Sequence, residues 1–301
     1  MQKCIIIFCC FFLISLNIFS QKAFQDPLEI MSTKDLQLVG NISSVREKVF
    51  VAKGTRYNLM RTNLISDTKY NITNDNKVLI SSIQNKGTLT EYKYNSKNQL
   101  VEIANIYTRN NAPAGKTIYN YDRTGKLILE LNYLKDGSLA DSIVIFENAQ
   151  TNRIIKNHHN SKGELFKTVE IKLNTAGKVE RNLQTINNET TRIIFEYDST
   201  LTKLAEERWY LGNKLMQRIQ YIYNWKDDLI EKVELDENGK RSGLTQYEYD
   251  IISGLVISMK TSHHFTSYEY NFDEYNNWIT KYEFYNDVPL KIIEREIKYL
   301  K

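Results

Sequence analysis

Apolar and polar positions alternate with a period of two over most of the chain, in short stretches separated by turn residues. In the stretch 127–133, Leu127, Leu129 and Leu131 occupy one face, and Glu130 and Asn132 occupy the other. This alternation is typical of a β-strand with one buried face. Most stretches between turns are seven to ten residues long and lack the 3.6-residue period of a helix, so the sequence predicts strands.

From about residue 90 a motif recurs: an aromatic residue, any residue, an aromatic residue, Asn or Asp, a turn ending in Gly or Asn, and an aliphatic residue. The second aromatic, or its equivalent, falls at positions 94, 121, 146, 173, 197, 223, 249 and 272. Eight copies spaced 23 to 27 residues apart indicate a tandem repeat. The copies are Tyr92, Tyr94, Asn95, Leu100; Tyr119, Tyr121, Asp122, Gly125, Leu127; Phe146, Asn152, Ile154; Ile171, Leu173, Asn174, Gly177, Val179; Phe195, Tyr197, Asp198, Leu204; Tyr221, Tyr223, Asn224, Leu229; Tyr247, Tyr249, Asp250, Leu255; Tyr270, Phe272, Asp273, Asn276, Trp278.

The motif predicts that each repeat forms a β-hairpin. Tyr119 and Tyr121 are two residues apart and share one face, Asp122 can bond the turn backbone, and Gly125 can adopt a positive φ. A second turn midway through most units divides each repeat into two strands, for example at 135–137, 161–163 and 237–239. The prediction is an all-β, tandem antiparallel β-hairpin meander of about sixteen strands, with less regular strands between residues 45 and 80.

The aromatic face of such a meander has no helices to cover it. Burial of one large apolar side chain contributes about 1.5–3 kcal/mol, so the sheet is expected to roll or twist strongly on itself. Glutamates that flank or separate the paired aromatics should then point outward beside lysines and arginines of neighbouring strands. These glutamates are Glu91, Glu196, Glu248 and Glu269.

The first twenty residues resemble a secretory signal peptide. Lys3 precedes an apolar run at 4–16, and polar residues with the small Ser20 follow it. Thirteen apolar residues fall short of the ~20 that span a bilayer, so no membrane span is expected after cleavage. All three cysteines lie in this segment, so the mature chain has no disulfide or cysteine metal site. The predicted organisation is a signal peptide at 1–20, a linker or short helix at 21–44, and the repeat domain at 45–301; 26–36 is the candidate helix.

Composition supports the β assignment and narrows the partners. Twenty Tyr and twelve Phe accompany only three Pro, which would interrupt strand hydrogen bonding. The charge sum of 40 basic and 36 acidic residues gives +4 without like-charge runs, so no nucleic-acid partner is expected.

Two units, 121–127 and 272–278, resemble the YD repeats of RHS-type proteins, and the last is similar to the form found in short secreted proteins of Bacteroidetes. The resemblance covers about residues 85 to 300. Large RHS proteins wrap such repeats into a hollow shell around a toxin domain. The resemblance implies a repeat architecture of this kind. Several copies replace the motif Gly, with Asn98, Asn152, Asp227 and Asn276, and this drift indicates a scaffold selected for its shape.

Catalytic motifs are scarce. The adjacent pairs His158–His159 and His263–His264 would point to opposite faces of a strand and cannot chelate one ion locally. Nucleotide, hydrolase and metalloprotease motifs are lacking, and neither a catalytic residue, a metal site nor a cofactor is predicted. Aromatic residues near turns are the candidate ligand-binding residues, with core packing as the alternative. They are Trp209, Tyr210, Trp225, Tyr275, Trp278 and Tyr285.

The expected function is an exported, non-enzymatic repeat scaffold that binds a protein or glycan of the cell envelope. Two alternatives stay open: a structural envelope component without a small ligand, and a carbohydrate-active hydrolase. The expected location is secreted, periplasmic or associated with the outer membrane.

Overall fold

The computed structural model describes residues 31–300, and within them it contains 21 strands and no helix. The predicted signal peptide and residues 21–30 lie outside the described residues. The strands are β1 Met31–Ser32, β2 Ile42–Thr55, β3 Asn58–Ile72, β4 Lys77–Asn85, β5 Thr88–Tyr94, β6 Leu100–Tyr107, β7 Ala112–Tyr121, β8 Leu127–Tyr133, β9 Leu139–Asn148, β10 Arg153–Asn160, β11 Leu165–Leu173, β12 Val179–Ile186, β13 Glu189–Tyr197, β14 Leu204–Leu211, β15 Lys214–Tyr223, β16 Leu229–Asp236, β17 Arg241–Tyr249, β18 Val256–Thr261, β19 Phe265–Phe272, β20 Trp278–Tyr285 and β21 Val288–Tyr299.

The strands form a closed antiparallel barrel. Every strand from β2 to β21 pairs with the next in the chain, and β21 pairs with β2 through contacts such as Ile297 with Val45. The all-β antiparallel meander is therefore confirmed, whereas the expected twisted or rolled sheet of about sixteen strands is corrected to twenty strands that close into a barrel. The motif does not mark β2, β3 and β4, which complete the barrel between β21 and β5.

The N-terminal segment does not form the short helix expected at 26–36, as far as it is described. Met31 and Ser32 pair with Val78 and Lys77 of β4, and residues 33–37 form a turn. The Ser32 amide donates to Asp35 Oδ2 at 2.7 Å, which fixes that turn. Pairing with β4 satisfies backbone N–H and C=O groups of Met31 and Ser32 that a helix would have satisfied by internal hydrogen bonds. The described residues include no helix that is long and apolar enough to cross a bilayer.

The two faces of the barrel differ in burial. Tyr119, Tyr221 and Tyr247 are 5%, 7% and 8% exposed, whereas Phe146 and Ile222, on the other face, are 55% and 43% exposed. Side chains crowd together on a concave surface and spread apart on a convex one. The tyrosine face is therefore the inner wall, as the need to bury these rings predicts.

The outer face carries ion pairs. Glu196 pairs with Arg208. Glu269 pairs with Arg56, which lies at the tip of the β2–β3 hairpin, and the distance from Arg56 Nε to Glu269 Oε1 is 2.6 Å. Glu196 therefore lies beside an arginine of the neighbouring strand β14, as expected, whereas Glu269 binds an arginine of a turn that is distant in the sheet. Glu248 instead accepts a hydrogen bond from Ser258.

The repeated turns are built by their Asn or Asp. Asp122 Oδ1 accepts the amides of Thr124 and Lys126 at 2.8 and 2.9 Å, and Gly125 has a φ of 89°. Other copies place Asn or Asp at the positive-φ position, which these residues tolerate better than most. These are Asn98, Asn152, Asp227 and Asn276.

The second tyrosine of a repeat links it to the preceding hairpin. Its hydroxyl donates to a backbone carbonyl there, at 2.7 to 3.0 Å. Repeats are thus joined by side chains as well as by strand pairing. The pairs are Tyr94 to Ile80, Tyr121 to Leu100, Tyr197 to Val179, Tyr223 to Leu204, Tyr249 to Leu229, and Tyr270 to Val256, where the first aromatic takes this role.

Strand register corrects one assignment of the repeat. In most copies the register shifts at the second aromatic, but β9 and β10 pair without a shift. Ile145 opposes Lys156 there and is 8% exposed, so it takes the inner position. Phe146, expected in that role, projects outward because adjacent residues of a strand point to opposite faces.

Candidate functional site

The six aromatic residues predicted to bind a ligand do not form one site. Trp225 and Tyr275 lie on separate turns at one end of the barrel, 86% and 49% exposed, while Tyr285 lies at the opposite end. Tyr210 projects outward, with the Arg192 guanidinium 4.4 Å from its ring centre. A single aromatic platform is therefore not assembled.

The other two tryptophans belong to the inner wall. Trp209 Nε1 donates to Glu207 at 3.1 Å, and Trp209 packs against the core cluster around Ile193. Trp278 is 6% exposed, and the Arg295 guanidinium lies 3.3 Å from its ring centre. Core packing, the alternative interpretation, fits these two residues.

A groove on the outer face crosses β16, β17, β18 and β19; we call it the outer groove. Its volume is about 260 Å³. Cross-strand register builds it, because Glu231, Gln246, Lys260 and Phe265 oppose one another in sequence across four strands. The full lining is Ile230, Glu231, Gln246, Tyr247, Glu248, Ser258, Lys260 and Phe265.

A second row of opposed residues completes the groove. Glu248 opposes Ser258, which in turn opposes Ser267. The Ser258 hydroxyl donates to Glu248 Oε2 at 2.7 Å, and Gln246 Nε2 donates to Glu231 Oε1 at 2.9 Å.

The Ser267 hydroxyl is buried beside this row without a hydrogen-bond partner among the described residues. The groove thus combines carboxylate acceptors, amide and ammonium donors, and the outward-facing ring of Phe265. This combination can bind a polar ligand with an apolar face.

A second polar cluster lies on the inner wall, on β19 and β20. Tyr268 opposes Glu283, and the Lys281 ammonium lies 4.2 Å from the centre of the Tyr268 ring. Burial lowers the pKa of Lys281 to about 8, against the attraction of Glu283. The same burial raises the pKa of Tyr268 above the usual range.

Residues that could hold a metal do not converge in the described part of the chain, 31–300. His158 lies on β10 opposite Lys167 and Ile143. Burial, with Lys167 nearby, lowers the pKa of His158. His264 lies in the turn between β18 and β19 and is hydrogen-bonded to Tyr285.

The sequence motif did not single out the groove residues as a site. Glu248 could be recognised as outward-facing because it lies between two aromatics of the repeat. The register of three strand pairs places four groove residues in one row: Glu231, Gln246, Lys260 and Phe265. A bulge in any of these pairs would move one residue to the other face of the sheet.

Comparison with known proteins gives structural neighbours only. No protein family and no curated protein sequence matches the chain. A porin-like protein from Bacteroides uniformis is 10% identical over 85% of this chain and 96% of its own, with a TM-score of 0.40. A porin-like protein from Bacteroides vulgatus is 14% identical over 60% of this chain and 93% of its own, with a TM-score of 0.32. The Photorhabdus luminescens Tc holotoxin pore is 11% identical over 77% of this chain, but this match spans 16% of that chain, with a TM-score of 0.32.

Proposed function

We propose that the protein is an exported, non-enzymatic scaffold that binds a glycan of the cell envelope in the outer groove. The observation that carries the proposal is the placement of Phe265 at the end of a row of polar side chains. Sugars present hydroxyls along their edges and C–H groups on their faces, so an aromatic ring beside carboxylate and amide groups complements both. Export rests on the predicted signal peptide.

The barrel supports this proposal by holding the groove rigid. The four strands that carry it are paired on both sides within a closed sheet, and Glu231 and Glu248 are each oriented by a hydrogen bond. Side chains fixed before binding lose little entropy when the ligand arrives. A volume of about 260 Å³ suits a short saccharide segment better than a protein domain.

The test of this proposal is glycan-array screening followed by calorimetric titration of the best saccharide. Phe265→Ala should weaken binding at least tenfold, about 1.4 kcal/mol, because it removes the stacking surface. Phe146→Ala is the matched control, since Phe146 is also an exposed outer phenylalanine but lies on β9 outside the groove. The absence of binding to any glycan, or equal losses in the two variants, would contradict the proposal.

A hydrolase is the second candidate, because Glu231 and Glu248 line the same groove. Glycoside hydrolysis uses two carboxylates on either side of a scissile bond. Incubation with chromogenic glycosides distinguishes the two functions. Turnover that Glu231→Gln or Glu248→Gln abolishes would replace the binding scaffold with a hydrolase, whereas binding without turnover supports the scaffold.

A further inference from the structure

Three buried polar atoms on the inner wall have no hydrogen-bond partner within residues 31–300. They are Tyr268 Oη, Trp278 Nε1 and Glu283 Oε2, on side chains that are 4%, 6% and 5% exposed. More than nine in ten buried polar groups in folded proteins are paired, and an unpaired one costs about 1–3 kcal/mol. Three such atoms on two adjacent strands therefore need an explanation.

Strand register brings these groups together. Tyr268 on β19 directly opposes Glu283 on β20, and Tyr270 opposes Lys281. Trp278 packs edge-on against Tyr270, with their ring centres 6.1 Å apart. We call Tyr268, Trp278, Lys281 and Glu283 the inner-wall site.

Lys281 adds a cation that faces aromatic rings rather than an acid. Its ammonium lies 4.2 Å from the Tyr268 ring centre and 5.8 Å from that of Tyr270. The described residues give it neither an ion pair nor a hydrogen bond, and Glu283 approaches Lys291 instead, at 3.7 Å.

Arg295, on the adjacent strand β21, shows the contrasting case. Its guanidinium binds Glu47 at 3.0 Å and the Leu36 carbonyl at 2.9 Å. Arg295 thus has a carboxylate and a carbonyl partner, whereas Lys281 has neither within residues 31–300.

We propose that the inner-wall site binds an acidic saccharide, with a uronic acid as the recognised unit. The Lys281 ammonium would pair with the sugar carboxylate. Tyr268 and Trp278 would donate to ring or hydroxyl oxygens, and Glu283 would accept a sugar hydroxyl. The Tyr268 and Tyr270 rings provide the apolar surface for the C–H face.

Other ligand classes match fewer of these groups. Inorganic phosphate at neutral pH would satisfy the donors but would place negative charge beside Glu283. A neutral sugar would satisfy Tyr268, Trp278 and Glu283 but would leave the ammonium unpaired. A uronic acid supplies a carboxylate and hydroxyl donors in one molecule.

The experiment is calorimetric titration of the full protein with glucuronic acid, glucose and inorganic phosphate. Glucuronic acid should bind at least tenfold more tightly than glucose. Lys281→Met should abolish that preference, and Tyr268→Phe should weaken binding about threefold to tenfold while keeping the ring. Lys93→Met, on the outer face, should leave binding unchanged, because its ammonium pairs with Glu102.

Equal binding of glucuronic acid and glucose, or equal binding of phosphate and glucuronic acid, would overturn the assignment. So would a Lys281→Met variant that keeps the preference. Phe265→Ala in the outer groove should not alter this titration, so failure of the outer-groove proposal can be told apart from failure of this one. Circular dichroism of each variant verifies that the barrel is folded.

Discussion

The barrel has two regions that are held together differently. In the repeating arc, from β5 to β19, side-chain bonds join neighbouring hairpins, such as Tyr249 to Leu229, 20 residues apart in sequence. In the seam, where β21 meets β2, the bonds join residues that are far apart in the sequence. Asn277 contacts Val39 across 238 residues, and Arg295 contacts Leu36 across 259.

The seam contacts include one amide side chain that makes three hydrogen bonds to residues distant in sequence or on another strand. Asn277 is fully buried, receives the Val39 amide at 2.6 Å, and donates to the Val39 carbonyl and to the Tyr299 hydroxyl. Closing so long a loop costs more conformational entropy than adding one hairpin to the next. The arc resembles a one-dimensional repeat stabilised by nearest neighbours, whereas closure depends on a few non-local polar contacts.

The largest effect is expected from alkaline pH, which acts on tyrosines of both regions. Burial raises the pKa of Tyr94 and Tyr249 in the arc, and of Tyr299 in the seam, to about 12 each. Below pH 10 these hydroxyls keep their protons in both states. Between about pH 10 and 12 only the unfolded chain loses them, so the free energy of unfolding falls as pH rises.

Urea denaturation at intervals from pH 8 to 12 measures this dependence. If the closed barrel unfolds as a unit, arc and seam should unfold in a single cooperative urea transition at each pH. A free energy of unfolding that stays constant from pH 9 to 12 would show that these tyrosines ionise equally in both states.

The next largest effect is expected from Arg295→Met in the seam. The substitution leaves Glu47 without its cation and the Leu36 carbonyl without its donor, so the free energy of unfolding should fall by about 3–5 kcal/mol. Arg61→Met is the matched control, because Arg61 pairs with Glu294 on the exposed outer face, where a pair contributes about 0–1 kcal/mol. Guanidinium denaturation measures both variants.

A second substitution separates charge from packing in this prediction. Adding Glu47→Gln to Arg295→Met removes the unpaired charge, so part of the lost stability should return. Equal losses for Arg295→Met and Arg61→Met would contradict the distinction between seam and outer face.

The arc could be predicted from sequence because its determinants are local. The spacing of Tyr119, Tyr121 and Asp122 specifies a strand, an inner face and a turn, and all three are present in the structure. Closure could not be predicted, since no local pattern says that Val45 will pair with Ile297. The outer groove and the inner-wall site depend in the same way on register across several hairpins.

Phe146 shows why the motif misplaces the inner residue in one copy of the repeat. Its side chain fits the aromatic position of the motif, but β9 and β10 lack the register shift of the other copies. The missing bulge moves the inner position to Ile145. A pattern of residue types cannot resolve a difference of one residue when both candidates are apolar.

The smallest effects are expected from single tyrosine hydroxyls in the arc. Tyr94→Phe and Tyr249→Phe each remove one hydrogen bond to a backbone carbonyl, at 3.0 and 2.8 Å, while the ring stays packed. Each should lower the free energy of unfolding by about 1 kcal/mol. Tyr107→Phe is the control. Because the Tyr107 side chain is 42% exposed, removal of its hydroxyl should lower the free energy of unfolding by less.

The double variant Tyr94→Phe/Tyr249→Phe makes the comparison between arc and seam quantitative. If arc contacts act only between neighbouring hairpins, the two losses should add to within about 0.5 kcal/mol, since the sites share no partner. Arg295→Met and Asn277→Ala, which both act on the segment that precedes β2, should instead show a coupling above that value. The coupling energy between the two arc tyrosines could instead be as large as that in the seam. Closure would then spread strain around the whole barrel, and the arc would not behave as a chain of independent neighbours.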